Sequence, residues 1–177
     1  MSRGQLSKAG FTVVELIVVL AVISILAWLA VPAYGRQVEL SRLKAAAELL
    51  FAAKRQAKSD AIMQDKTLTV VLAALPGGSW CIGTTEKTDC DCSTGNLCHV
   101  KGVSRVLQGD DFPTIRLSYA SAARRYIFKP THGAMAAGSA VFSSPSGYEI
   151  RVVTSRLGRI RLCSPAGSGY VAGYPKC

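Results

Sequence analysis

The chain has little of what enzymes commonly use in their active sites. It contains only two histidines, His99 and His132, in 177 residues, and neither lies in a recognisable catalytic motif. The 11 acidic residues are scattered, and Asp110-Asp111 is typical of a turn rather than of a catalytic pair. There is no G-x-S-x-G elbow, and the glycines lack the spacing of a phosphate loop or a dinucleotide fingerprint. The sequence therefore predicts no enzyme, no cofactor and no metal.

Acidic residues are almost absent from the C-terminal third. From Ile115 onward the only acid is Glu149, and the segment's net charge is +8, whereas residues 11–114 balance to zero within a total of +10. A basic field confined to one region favours an anionic partner, such as nucleic acid, lipid head groups or an acidic protein. The alternative is a solvated basic surface with no specific partner. The basic residues are Arg116, Arg124, Arg125, Lys129, Arg151, Arg156, Arg159, Arg161 and Lys176.

What the N-terminal region does have is a long uncharged apolar run, from Leu16 to Gly35. Twenty such residues are about what a helix needs to cross a bilayer core of roughly 30 Å. One carboxylate, Glu15, stands at the start of this run. An ionised side chain at membrane depth costs several kcal/mol unless it is paired, so Glu15 requires a partner.

The small residues Ala9-Gly10 come before the apolar run, whereas a secretory signal has its cleavage site after the apolar core. This arrangement resembles the leader of type IV prepilins. The resemblance implies that a prepilin peptidase cuts between Gly10 and Phe11, that Phe11 is N-methylated, and that Glu15 pairs with the N-terminal amine of a neighbouring subunit. It also implies a bend at Pro32. The alternative is a plain membrane anchor with Glu15 at the head-group level.

The spacing of apolar residues in the rest of the chain changes from helical to strand-like near Met63. Apolar residues recur at helical spacing up to that point, and short β-rich runs separated by Gly, Pro and Ser follow it. We therefore predict an α+β, pilin-like fold, in which a long N-terminal helix with a membrane-spanning first half packs on a small antiparallel β-rich head. The predicted segments are a leader (1–10), a hydrophobic helix (11–34), its amphipathic continuation (35–64) and a head (65–177). The predicted strands are 67–74, 80–83, 115–119, 126–129, 140–142, 148–154 and 159–163.

An even number of cysteines in a small exported domain predicts a disulfide framework. Cys90 and Cys92 are too close in sequence to pair readily, so each is expected to join Cys81 or Cys98, closing a polar loop over residues 81–98. Zinc is the alternative, but the spacing lacks C-x2-C pairs. The pilin resemblance implies that the remaining two, Cys163 and Cys177, close the tail (163–177).

A basic hairpin is predicted over residues 148–163. Alternation places Arg159 and Arg161 on one face of its second strand, about 7 Å apart, and Arg forms bidentate hydrogen bonds with phosphate. Gly158-Arg159-Ile160-Arg161 resembles the G-R-x-R motif of FimT-type minor pilins of the GspH/FimT family. That resemblance implies DNA binding by this motif, and Arg151, Arg156 and Lys176 are expected to widen the surface. The alternative is a strand edge kept soluble by charge.

The sequence thus favours a minor type IV pilin that takes part in pilus assembly and binds extracellular double-stranded DNA, without sequence specificity, for uptake in natural transformation. Its expected partners are other pilins, the assembly machinery, the prepilin peptidase and DNA. It is expected in the bacterial inner membrane with its head in the periplasm, and later in the pilus at the cell surface. The alternatives are a structural minor pilin, a GspH-like pseudopilin of type II secretion, and surface attachment through the 81–98 loop.

Overall fold

The structure, a computed structural model, describes residues 12–94, 98–131, 133–134 and 137–177. One long helix, α1, extends over Val13–Met63. Contacts divide the chain into two units, with the boundary between Val38 and Glu39. The predicted peptidase site at Gly10-Phe11 lies outside the described residues.

The first unit contains the beginning of α1. The Glu15 N–H donates a 3.2 Å hydrogen bond to Oγ1 of Thr12, so Thr12 caps the helix. Thr-x-x-Glu is also the spacing of a capping box, and a carboxylate is favourable at a helix N-terminus. The Glu15 side chain thus lies in the first turn of α1, where its negative charge is favourable. In the part of the chain that the structure describes, no helix combines the length and the apolar character needed to cross a membrane. The predicted span over residues 11–34 is not confirmed.

In the second unit, α1 continues from Glu39 to Met63 and buries one stripe of side chains. Its members recur three or four residues apart, as expected for a helix face that packs on a core. Lys54 lies in this stripe and is 0% exposed. Lysine is polar by type, so helical spacing alone would assign residue 54 to a solvent-facing side, and its burial contradicts that expectation. The stripe comprises Leu43, Ala46, Ala47, Leu50, Lys54, Ala57 and Ala61.

Eleven strands follow in the described residues. They are β1 (Leu68–Ala74), β2 (Trp80–Thr85), β3 (His99–Val100), β4 (Val103–Ser104), β5 (Val106–Gln108), β6 (Arg116–Tyr119), β7 (Arg125–Lys129), β8 (Gly133–Ala134), β9 (Gly138–Ser143), β10 (Glu149–Thr154) and β11 (Ile160–Cys163). The longer strands lie where β-rich runs predicted them. The short strands β3, β4, β5 and β8 were not predicted, because two or three residues carry no detectable period.

The strands form a five-stranded sheet in the order β5-β2-β1-β7-β8, a four-stranded sheet in the order β11-β10-β9-β6, and the pair β3-β4. All named strand pairs are antiparallel. The predicted α+β, pilin-like fold, a helix with an antiparallel head, is confirmed. In the four-stranded sheet β11 is an edge strand, which leaves one of its sides unpaired by the sheet.

One core joins α1 to the inner faces of both larger sheets. Trp80 on β2 is fully buried there, with its ring 5.2 Å from that of Phe142 on β9 in an edge-on contact. Its indole N–H donates a 3.0 Å hydrogen bond to the carbonyl of Ile115, as a buried Trp requires. The core thus fixes the four-stranded sheet, and with it the hairpin β10-β11, against the helix.

The outer face of β1 and β2 is covered by the cysteine loop. The structure pairs Cys81 with Cys92 and Cys90 with Cys98, one of the arrangements that the sequence left open. These disulfides form a second cluster with Val71 of β1, so β1 is buried on both faces. The loop therefore has a packing role.

Candidate nucleic-acid interface

The hairpin β10-β11 turns through residues 155–159. The last register pair joins Thr154 to Ile160. Within the turn, the Ser155 N–H donates to the Arg159 carbonyl at 2.9 Å, and the Gly158 N–H donates to the Ser155 carbonyl at 2.9 Å. Gly158 has φ +71°, a conformation that glycine adopts at low cost. The glycine of Gly-Arg-Ile-Arg is therefore required by the turn that presents the two arginines.

Side chains on β11 alternate between solvent and core. Arg159 and Arg161 are exposed, whereas Ile160 and Leu162 pack against the core. This is the alternation that the sequence predicted for the second strand. Leu157, at the tip of the turn, is 86% exposed.

The outer face of the four-stranded sheet carries further cations. Register places Val153 opposite Arg161 and Cys163 opposite Arg151, so Arg151 shares the face of Arg161. However, Nη2 of Arg151 lies 3.4 Å from Oε2 of Glu149, and this carboxylate offsets its charge. Arg151 therefore contributes less to the positive field than Arg161 does.

The other basic residues of the head differ in whether a carboxylate lies within ion-pair distance of them. Arg124 and Arg125 both lie within 4 Å of Asp89, at 3.8 and 3.7 Å. Among the described residues, no carboxylate reaches ion-pair distance of the hairpin and tail cations. Those cations, all exposed, are Arg156, Arg159, Arg161 and Lys176.

The tail returns to the end of β11. Cys163 is joined to Cys177, the pair that the sequence analysis favoured. The Ser164 N–H donates to the Pro175 carbonyl at 2.9 Å, and the Cys177 N–H donates to the Ser164 carbonyl at 3.1 Å. Ser164 also forms a bridge with Lys176. Lys176 is thus held beside the end of β11 opposite to the turn.

Two lysines of α1 contact the hairpin from the helix side. The sequence did not predict either contact. Lys58 Nζ donates a 3.0 Å hydrogen bond to the carbonyl of Gly158. Lys54 Nζ lies 3.2 Å from Oγ1 of Thr154 and 3.2 Å from the centroid of the Tyr126 ring. Burial lowers the pKa of the Lys54 amine from 10.5 to about 6. Lysines 100 residues away from their partners leave no local signal in the sequence.

The described residues offer no arrangement of side chains that could bind a metal ion. All six cysteines form disulfides, so none is a thiolate ligand. In the described ranges no three His, Cys, Asp or Glu side chains are grouped to hold an ion. What the hairpin does offer is a row of guanidinium groups in water, suited to phosphate oxygens.

Two family models match the chain. The prokaryotic N-terminal methylation motif matches residues 6–31, and the type II transport protein GspH matches residues 46–158. The chain belongs to the GspH family. The GspH match ends at Gly158, so Arg159 and Arg161 lie beyond it. No curated protein matches the chain.

Two solved structures of the type IV minor pilin FimU from Pseudomonas aeruginosa are similar to this GspH-family chain. One has 20% sequence identity and a TM-score of 0.50, and the match covers 73% of this chain and 96% of the FimU chain. The other has 19% identity and a TM-score of 0.48, covering 72% and 99%. At this identity the first likeness shows a shared fold.

Proposed function

We propose that this protein is a minor pilin that takes part in assembly of a type IV pilus. Support comes from the methylation motif, the GspH family and the fold shared with FimU. In this proposal the peptidase cuts after Gly10, Phe11 is methylated, and Glu15 pairs with the N-terminal amine of a neighbouring subunit. The apolar segment holds the chain in the inner membrane, with the head in the periplasm, until assembly moves it to the cell surface.

We further propose that the head binds extracellular double-stranded DNA for uptake. The observation that carries this proposal is the exposure of Arg159 and Arg161 on the hairpin with no carboxylate in ion-pair distance among the described residues. An arginine without an internal partner keeps its donors free for phosphate oxygens. Arg156 and Lys176 extend the surface at its two ends.

Binding of this kind reads the backbone and not the bases. Contacts to phosphate carry no sequence information, and each neutralised phosphate releases counterions, so affinity falls with salt with a slope of about −0.9 per contact in a double-logarithmic plot. The proposal therefore predicts similar affinity for unrelated duplexes and a steep loss with salt.

The test uses the full chain in a non-ionic detergent, which adds no charge that competes with phosphate. Affinity for a labelled duplex is measured by fluorescence anisotropy from 50 to 200 mM salt. The double variant Arg159→Gln with Arg161→Gln should make the salt slope shallower, by up to about 1.8 if each arginine neutralises one phosphate. The charge-matched control, Arg42→Gln with Arg105→Gln, should behave as wild type. Equal affinities of wild type and the hairpin variant would refute the assignment to this motif.

A second candidate is a pseudopilin of type II secretion without a DNA role, favoured by the description of the matched family. Deleting the gene in the source bacterium separates the two. Loss of transformation with normal protein export supports the pilin, whereas loss of export with normal transformation supports the pseudopilin.

A further inference from the structure

A cleft of about 460 Å³ lies between α1 and the turn of the hairpin. Among its lining residues are Phe51, Arg55, Lys58 and Ser59 of the helix, and Gly158 and Arg159 of the turn. Its volume is within the range of clefts that hold ligands. Among the described residues that line it there is no Asp or Glu, whereas three are basic: Arg55, Lys58 and Arg159.

The N–H groups of the basic side chains that line this cleft form few hydrogen bonds within the described protein. Lys58 Nζ has three protons and gives one hydrogen bond, to the carbonyl of Gly158. The Arg55 guanidinium lies over the Phe51 ring, with its carbon 5.5 Å from the centroid, which positions the cation without occupying its N–H groups. Among the described residues, neither Arg55 nor Arg159 has a carboxylate in ion-pair distance.

We propose that this cleft binds one phosphodiester of the DNA backbone, held by Arg55, Lys58 and Arg159. The inference rests on the proposed function and adds two helix residues to its surface. Because Arg159 is exposed like Arg161 and also borders the cleft, the phosphate path continues around the edge strand β11 from the sheet face to the helix. The bound strand therefore wraps the hairpin and does not lie only across one face of it.

The test variant is Arg55→Gln in the full chain, in the same detergent. Arg55 is exposed and donates no hydrogen bond to the hairpin in the described contacts, so its replacement leaves the turn supported by Lys58. The control Arg42→Gln removes the same charge from the same helix, 13 residues away and thus about 20 Å along its axis. Arg55→Lys keeps the charge.

We expect Arg55→Gln to lower affinity for a duplex about fivefold to tenfold at 0.1 M salt and to make the salt slope shallower by less than about 0.9, because Lys58 and Arg159 still contact the same phosphodiester. Arg42→Gln should change neither quantity, and Arg55→Lys should keep the wild-type slope. In combination with Arg161→Gln the two slope changes should add, because each removes a separate phosphate contact.

The possible outcomes distinguish the cleft from the hairpin. If wild type binds no duplex at 50 mM salt, both the cleft and the proposed function fail. If the double hairpin variant weakens binding but Arg55→Gln matches Arg42→Gln, only the cleft fails. If Arg55→Gln reduces binding to phosphatidylglycerol vesicles but not to duplex, the cleft is a lipid site and the DNA assignment is overturned.

Discussion

Lys54 Nζ lies 3.2 Å from Oγ1 of Thr154, the residue at which β10 ends. Both side chains are buried, and the amine also stands over the ring of Tyr126. Burial lowers the pKa of Lys54 to about 6, so at neutral pH the folded protein holds a neutral amine there. This amine anchors the base of the hairpin that presents Arg159 and Arg161.

Stability should therefore depend on pH through Lys54. The unfolded lysine has its ordinary pKa near 10.5, so between pH 6 and 10.5 the unfolded chain binds one proton that the folded chain does not. The free energy of unfolding should then rise with pH across this window, by up to about 1.4 kcal/mol per pH unit. Below pH 6 both states are protonated and the destabilisation is at its maximum.

Lys54→Met should remove this slope and raise the free energy of unfolding at pH 7, although Thr154 loses a hydrogen bond. The pH dependence of the free energy of unfolding is measured by denaturant unfolding at pH 6.5, 7.5 and 8.5. Unfolding is followed by Trp80 fluorescence in a Trp28→Phe background. Lys44→Met, on the same helix, is the control and should keep the wild-type slope. Equal slopes in all three proteins would show that Lys54 does not titrate between the states.

The tail disulfide should carry a large part of local stability. Cys163 and Cys177 are 14 residues apart, and closing a loop of about 15 residues is worth about 3 kcal/mol in the chain-entropy model. Cys163→Ser with Cys177→Ser should lower the free energy of unfolding by about that amount, measured by the same fluorescence. Ser168→Ala, an exposed change in the same loop, serves as the control. A loss below about 1 kcal/mol would indicate that the tail's hydrogen bonds hold it alone.

Gly83 on β2 should tolerate no side chain. A Cβ there would collide with the sulfurs of Cys98 and Cys90, so Gly83→Ala must displace the disulfide that covers the sheet. We expect a loss of about 1–3 kcal/mol, typical of overpacking, and incomplete formation of the Cys90–Cys98 disulfide during folding, which leaves free thiols that titrate under native conditions. Gly35→Ala, in a helix with open space around it, should show no free thiols. Full oxidation and wild-type stability of Gly83→Ala would contradict this packing.

The local spacing of apolar residues was sufficient to predict the elements whose side chains follow a helical or strand periodicity. The helix ends at Met63, where helical spacing gives way to β-branched runs, and the alternation on β11 places Arg159 and Arg161 outward. The same spacing could not predict the environment of a residue whose neighbours in space are distant in the sequence. Lys54 is polar by type but buried by position, and the contact between Lys58 and Gly158 spans 100 residues. No window of sequence contains both sides of such a contact.

The same distance in sequence explains why the cleft was not predicted. Arg55 belongs to a helix whose charges look like an ordinary solvated face, and Arg159 belongs to a strand. Only the packing of α1 on the four-stranded sheet, through residues such as Leu50 and Val152 of the core, brings them to one space.

Glu149 should restrain DNA binding. It is the only acid after residue 115, and its carboxylate lies 3.4 Å from Arg151 on the outer face shared with Arg161. Glu149→Gln removes a negative charge from this face and frees Arg151, while the backbone bonds of residue 149 to Gly169 and Ser164 do not involve the side chain. Affinity for a duplex should rise several-fold, and the salt slope should steepen by about 0.9 because one more phosphate is neutralised. Anisotropy titrations from 50 to 200 mM salt measure both quantities.

The control for Glu149→Gln is Asp65→Asn, which makes the same change in net charge at an exposed position just after α1. Asp65 has φ +50°, and Asn tolerates that conformation, so the control should fold normally. Net charge alone would raise affinity equally in the two variants. A local effect raises it more in Glu149→Gln and steepens the slope only there. Adding Arg151→Gln to Glu149→Gln should then return the slope to the wild-type value, because the arginine that the carboxylate had occupied is gone. If that double variant keeps the steeper slope, Arg151 is not the residue that Glu149 withholds from DNA.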